Sequence, residues 1–295
     1  MKQLVSVFGT SIGLAKKSLT FAFVALFTVS VVLPLLWMIL TSFKTSPEIF
    51  ASPWGLPKSL HWENYSNAWK SSGIAHYFLN SLIVTVATLV VLIPIGAMAA
   101  YVFARYPFPG SKFLFGAFLG GMMFPQFLVI VPLFSLVGSI QHLFDPQSKI
   151  VHAPLITLTL VYIAYSLPFT IFVLTGFFQT LPKDLDEAAM IDGCSHSRTF
   201  WQVMLPLARP GLIVVGIFNG IGLWNEYSLA LVLSNSEQNK TLPLGIAELA
   251  NMMHYSGDWG ALFAGLVIVM VPVLIVYWIF REKIHETMLA GAIKG

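Results

Sequence analysis

Charge is what this chain has least of. Only 10% of its 295 residues are Asp, Glu, Lys or Arg, against about 25% in an ordinary soluble domain. That shortage excludes a surface built mainly for water. A net charge of +3 with no run of Lys or Arg excludes a nucleic-acid footprint. Cysteine is nearly absent: Cys194 stands alone, so no internal disulfide can form and a thiol-based metal or catalytic site has no companions. The 7 histidines follow no HxxxH or HExxH spacing, which excludes the usual zinc arrangements. No G-x-x-x-x-G-K-[ST] loop occurs, so the chain has no phosphate cradle of its own for ATP.

What fills the sequence instead is hydrocarbon. Hydrophobic residues make up 57%, and the mean hydropathy is +0.79. Charge-free windows recur along the chain, and a spanning helix needs ~20 such residues. The pattern predicts an all-α polytopic membrane protein, a single domain over residues 1–295. Its six transmembrane helices are expected near residues 19–42, 78–104, 113–137, 152–178, 207–233 and 259–280. The first window is too long for the ~7–15-residue core of a signal peptide and reads as a retained span. Of the 16 Lys and Arg, 11 fall at the two termini or in the loops on their side and 5 in the others. Such a bias marks cytoplasmic loops, so both termini are expected in the cytoplasm. Pro94, Pro125, Pro132, Pro168 and Pro272 predict kinks whose freed carbonyls neighbouring helices satisfy. The loop over 44–76, with Trp54, Trp62 and Trp69, is expected at headgroup level, as an anchor or as a docking surface for an external partner.

One stretch breaks the pattern: DEAAMIDGCSHSRTFWQVMLPLARPG, residues 186–211. Acidic residues early in a helix complement its positive end, and Gly193 suits a left-handed cap. Ser195 or Ser197 can cap a second helix over 198–204 that Pro206 closes. Helices this short are marginal in water, so the segment must lie on something. Its early acidic charge suits anionic lipid badly; a groove on a cytoplasmic protein fits better. On that reading Ala188 and Ala189 are small so that the helix sits close, and Gly193 makes a turn that a side chain would obstruct.

Glu226 is the carboxyl group well inside a predicted span, a functional candidate because burying charge in lipid costs about 2.5–3.5 kcal/mol. Asn225 and Glu226 line a solute path or its outer gate, or Glu226 is a protonated or hydrogen-bonded group bridging helices. Gln126, Asn80 and Asn219 read as polar contacts between helices. Three function classes follow: a permease subunit driven by a separate motor, a stand-alone secondary transporter, and an intramembrane enzyme. A secondary transporter calls for related halves and mid-membrane coupling groups; the sequence has neither a repeat nor a carboxylate pair. An enzyme calls for a nucleophile with its base, or a metal set, and neither is visible.

Glu187-Ala188-Ala189, Asp192-Gly193, Leu205-Pro206 and Pro210 resemble the EAA loop of permease subunits in bacterial ATP-binding-cassette importers. Cys194 stands where alanine is common in that loop. The resemblance continues in Pro34–Lys44, Asn80-Ser81, Ala99–Arg105, Trp224-Asn225-Glu226 and the ending Ala290–Gly295, which look like the smaller, six-span permease of the maltose-type carbohydrate group. It implies a heterodimer with a second permease subunit, two cytoplasmic ATPase subunits that hold ATP and Mg, and an extracytoplasmic solute-binding protein. It further implies a carbohydrate substrate, residence in a bacterial or archaeal cytoplasmic membrane, and no cofactor, metal or catalysis on this chain. Within the cytoplasmic coupling loop 179–206, Glu187 would contact an ATPase cleft, Gly193 would set the turn, and Ala188, Ala189 and Pro206 would shape the loop. Asp192 and Arg198 either contact the ATPase or cap and solubilise the helix, and the tail from Arg281 also reaches the ATPases. Importers of other small solutes share the loop, and in the maltose group the sugar site lies chiefly on the other permease subunit.

Overall fold

A computed structural model of the chain describes residues 2–71, 73–143, 154–234 and 236–292. Lys149, the start of the expected fourth span at 152–153 and the final Ile293–Gly295 lie outside the described residues. Among those described, helix is the one regular structure. In chain order the helices are α1 (Lys2–Thr41), α2 (Ser46–Ala51), α3 (Glu63–Ser66), α4 (Ile74–Arg105), α5 (Ser111–Met123), α6 (Gln126–Leu143) and α7 (Pro154–Thr180). They continue as α8 (Asp184–Ile191), α9 (His196–Thr199), α10 (Leu205–Leu207), α11 (Arg209–Trp224), α12 (Ser228–Leu233), α13 (Leu242–Ser256) and α14 (Trp259–Ala292).

Four helical stretches are long and apolar enough to cross a membrane: Lys17–Thr41, Ile74–Arg105, Pro154–Thr180 and Trp259–Glu282. Pro94, Pro168 and Pro272 sit inside these helices without ending them. Two bent pairs have the composition for one crossing each, Ser111–Met123 with Gln126–Ile140 at 104° and His196–Leu207 with Arg209–Trp224 at 74°. The helix expected over 113–137 is therefore interrupted. Phe124 is driven to an extended conformation (φ −72°, ψ 124°) because the ring of Pro125 disfavours the helical region in the residue before it. The expected span at 207–233 is broken as well: α11 stops at Trp224, and α12 begins only at Ser228.

The chain divides into two compact units, Met1–Ser72 with Leu249–Ile268, and Gly73–Glu248 with Val269–Gly295. The first is organised around the turn that follows α1. Lys44 is 1% exposed, and its ammonium donates to the carbonyls of Ser52 (3.0 Å) and Pro53 (3.2 Å). Asn64 fastens the same turn by donating to Ser42 O and Lys44 O, while Trp54 and Trp62 stand exposed around it.

In the second unit α4 packs chiefly along α7, with α11 against both. The contact is close because Gly96 presents bare backbone; a Cβ there would lie 2.3 Å from Thr170 Cγ2. Asn219 of α11 donates to Thr170 Oγ1 at 3.0 Å, so three helices meet at one threonine, α4 at its methyl and α11 at its hydroxyl. Two apolar cores flank this point. One joins Ala97, Ala100 and Tyr101 to Leu174, Phe178, Phe200 and Met204; the other joins Val84 to Leu158, Tyr162, Leu223 and Leu229. Each core supports one polar cluster.

Candidate functional site

The polar stretch folds as a helix, a glycine turn and a second helix. Asp184, Asp186 and Glu187 occupy the first turn of α8, where their charge offsets the unsatisfied amides at its positive end. At the other end Gly193 is left-handed (φ +81°). Its N–H bonds Met190 O at 3.0 Å, and the N–H of Cys194 bonds Ala189 O at 2.9 Å. That pair of bonds is the complete glycine-capped helix ending. Ser195 then caps α9, its Oγ accepting from Arg198 N.

Pro206 does not close the second helix, contrary to the expected end at residue 204. The helix runs on through the π turn Phe200–Met204 into α10 and ends at Leu207. A π turn widens the backbone just where the proline ring would otherwise press on a carbonyl one turn back. Pro206 itself is exposed.

The two faces of α8 differ. Leu185 packs on the first core, and Asp186 and Ala189 are buried against this chain. Ala189 is therefore turned away from any outside groove, whereas Ala188 is exposed. Glu187, Ala188, Met190, Asp192 and Gly193 face outward, and Ile191 is 86% exposed. Arg198 is exposed and spends its Nε on Gln202 one turn later, at 2.8 Å.

Sequence reasoning missed what holds the inner face. Arg105, the last residue of α4, places Nε 2.9 Å from Asp186 Oδ2. It also donates through Nη2 to Leu181 O at 2.8 Å and Pro182 O at 3.3 Å. Tyr101, one turn earlier on α4, donates to Asp186 Oδ1 at 2.6 Å. Tyr106 meets His196 Nδ1 at 2.9 Å. A signal for this was present: Tyr101 and Arg105 are four apart, and so share one helical face at the end of a span.

The second polar cluster lies at the break between α11 and α12. Glu226 accepts from the amides of Leu229 (2.7 Å) and Ala230 (3.1 Å), so it caps α12. Tyr162 of α7 donates to Oε2 at 2.6 Å, and Gln126 of α6 donates to Oε1 at 2.8 Å. Gln126 is the first residue after the other break, so one carboxyl group binds two interrupted helices together. Asn225 is exposed and turns its amide back to Ile221 O. Beside this junction is a mostly apolar cavity of about 630 Å³, with Gln126, Tyr165, Phe124 and Leu229 among its lining residues. Among the described residues no cluster of His, Cys, Asp and Glu has the arrangement to hold a metal.

Residues 92–281, which include both polar clusters, match the binding-protein-dependent transport system inner membrane component. The chain belongs to that family. The permease is 43% identical over 277 residues to the diacetylchitobiose uptake system permease protein NgcG of Streptomyces coelicolor, a match covering 94% of this chain and 89% of the relative. It is 32% identical over 263 residues to the trehalose transport system permease protein SugB of Mycobacterium tuberculosis, covering 89% and 92%. Its fold resembles that of a chain in a bacterial ABC transporter involved in the import of alginate, with a TM-score of 0.73 over 90% of this permease and 94% of that chain at 20% identity. The permease is thus an inner-membrane, multi-pass component of an importer that works with ATPase and binding-protein partners.

Proposed function

We propose that this permease conducts a carbohydrate, and that α8 is the handle by which cytoplasmic ATPases move it. One observation carries the reading: a glycine-capped helix whose outer face presents Glu187, Ala188 and Ile191 to solvent while its inner face is tied down. Met190 and Ile191 are both exposed there beside Glu187, an apolar patch with a polar rim of the kind a partner groove covers. The carbohydrate follows from the relatives named for diacetylchitobiose and trehalose uptake.

On this reading each bent pair counts as one crossing, giving six, with both termini and loop 179–206 in the cytoplasm. ATP and Mg sit on two ATPase subunits, and this chain catalyses nothing. A second permease subunit completes a heterodimer, and a solute-binding protein delivers sugar from outside. Glu187 contacts the ATPase cleft, with Asp192 and Arg198 at its rim. Asn225 lies along the sugar path, and Glu226 holds the adjoining break in shape. The test is purification of the tagged chain from its native membranes in mild detergent. A Walker-motif ATPase and a second permease are expected alongside it, and the ATPase is expected to be lost from Gly193→Val. A chain that emerges alone from conditions preserving complexes overturns the coupling reading.

A further inference from the structure

We infer that Arg105 and Asp186 are the mechanical link that passes movement of α8 into the spanning helix α4. The inference rests on the coupling reading of α8 and adds the route by which motion leaves it. Asp186 is gripped from α4 at both oxygens, by Tyr101 and by Arg105 one turn later. The Arg105 and Asp186 side chains are only 5% and 10% exposed, so water does not screen the pair. The same guanidinium holds the carbonyls of Leu181 and Pro182, the links between α7 and α8. One side chain therefore fastens the end of α4, the end of α7 and the first turn of α8.

That geometry removes the freedoms that would let α8 slip. Rotation of α8 about its own axis, or sliding along α4, separates a buried ion pair and strands its charges away from water. The outward face, with Glu187, Ala188 and Ile191, shares none of these contacts. Docking and transmission thus fall on opposite sides of one short helix. From α4 the movement reaches α7 directly, because Gly96 and Thr170 leave no slack between them. Arg105 and Asp186 act as positioning residues; neither touches solute.

The test uses the whole importer, purified with its ATPases, in a Cys194→Ser background. Spin labels are placed at Val90 on α4 and Ser197 on α9, both exposed, and their separation is measured without nucleotide and after trapping with ATP and vanadate. The unaltered link is expected to keep the distance constant while the ATPases close. The paired variant Arg105→Met with Asp186→Leu removes both charges together and leaves none stranded. It is expected to retain bound, hydrolysing ATPase, yet to show a nucleotide-driven shift beyond the width of the original distance distribution. Should the pair not fold, Arg105→Lys, which keeps the charge balance but loses the fork, is read the same way with the same expected shift. A constant distance in the variant with ATPase attached overturns the inference, as does a shift in the parent complex. Absence of ATPase from the parent preparation overturns the coupling reading itself, and is seen before any distance is recorded.

Discussion

Tyr162 donates its hydroxyl to Glu226 over 2.6 Å, joining α7 to the point where α11 gives way to α12. Glu226 accepts three further bonds, two from backbone amides and one from Gln126. Tyr162→Phe removes one of four donors and is expected to lower stability by about 1 kcal/mol. Glu226→Gln replaces an accepting oxygen with a donor that faces donors, and the expected loss is larger, about 1–3 kcal/mol. Thermal melts of the two purified variants give the order directly.

Asp186 and Glu187 are neighbours in sequence with opposite consequences. Removing Asp186 leaves Arg105 as a buried, unpaired charge, so Asp186→Ala is expected to cost about 3–5 kcal/mol. Glu187 is exposed, and Glu187→Ala is expected to change stability by less than about 0.5 kcal/mol. In a pull-down the stable Glu187→Ala chain is nevertheless expected to retain less ATPase than the parent. Equal retention would remove Glu187 from the docking face.

At Gly193 the restriction is conformational rather than steric. No atom lies within 4 Å of where a Cβ would stand, but φ is +81°. Asparagine tolerates that region and valine does not. Gly193→Asn is expected to keep most ATPase attachment, whereas Gly193→Val is expected to lose it at a backbone cost of about 1–3 kcal/mol. If both substitutions behave alike, the left-handed turn is not what attachment depends on.

Gly96 presents the reverse case, an ordinary backbone with no room. A methyl there would meet Thr170 Cγ2 at 2.3 Å, so Gly96→Ala is expected to destabilise by about 1–3 kcal/mol through overpacking. Thr170→Ser removes that methyl while leaving the hydroxyl that Asn219 uses. The double variant should recover much of the loss, and a cycle of unfolding measurements on the four proteins reports the coupling.

Class and family were legible because they depend on composition and on local spacing. Six apolar windows sufficed for an all-helical membrane chain, and Glu187-Ala188-Ala189 with Gly193 sufficed for the loop. Side-chain direction was not legible. An eight-residue helix has too little periodicity to show that Asp186 and Ala189 face inward, and Arg105 figured as a positive charge and as the end of the Ala99–Arg105 resemblance, with no partner visible. The breaks were half visible. Pro125 was recognised as a kink, but a 104° bend needs the neighbouring helices to define it. Nothing in the order of residues announced that Gln126 and Glu226, a hundred positions apart, share a hydrogen bond.

Ile191 has a consequence for the life of the protein before assembly. A subunit synthesised ahead of its motor displays a large branched side chain to water at the tip of a well-formed helix. On the proposed docking that side chain leaves water, so assembly removes an exposed apolar tip that the free subunit must carry.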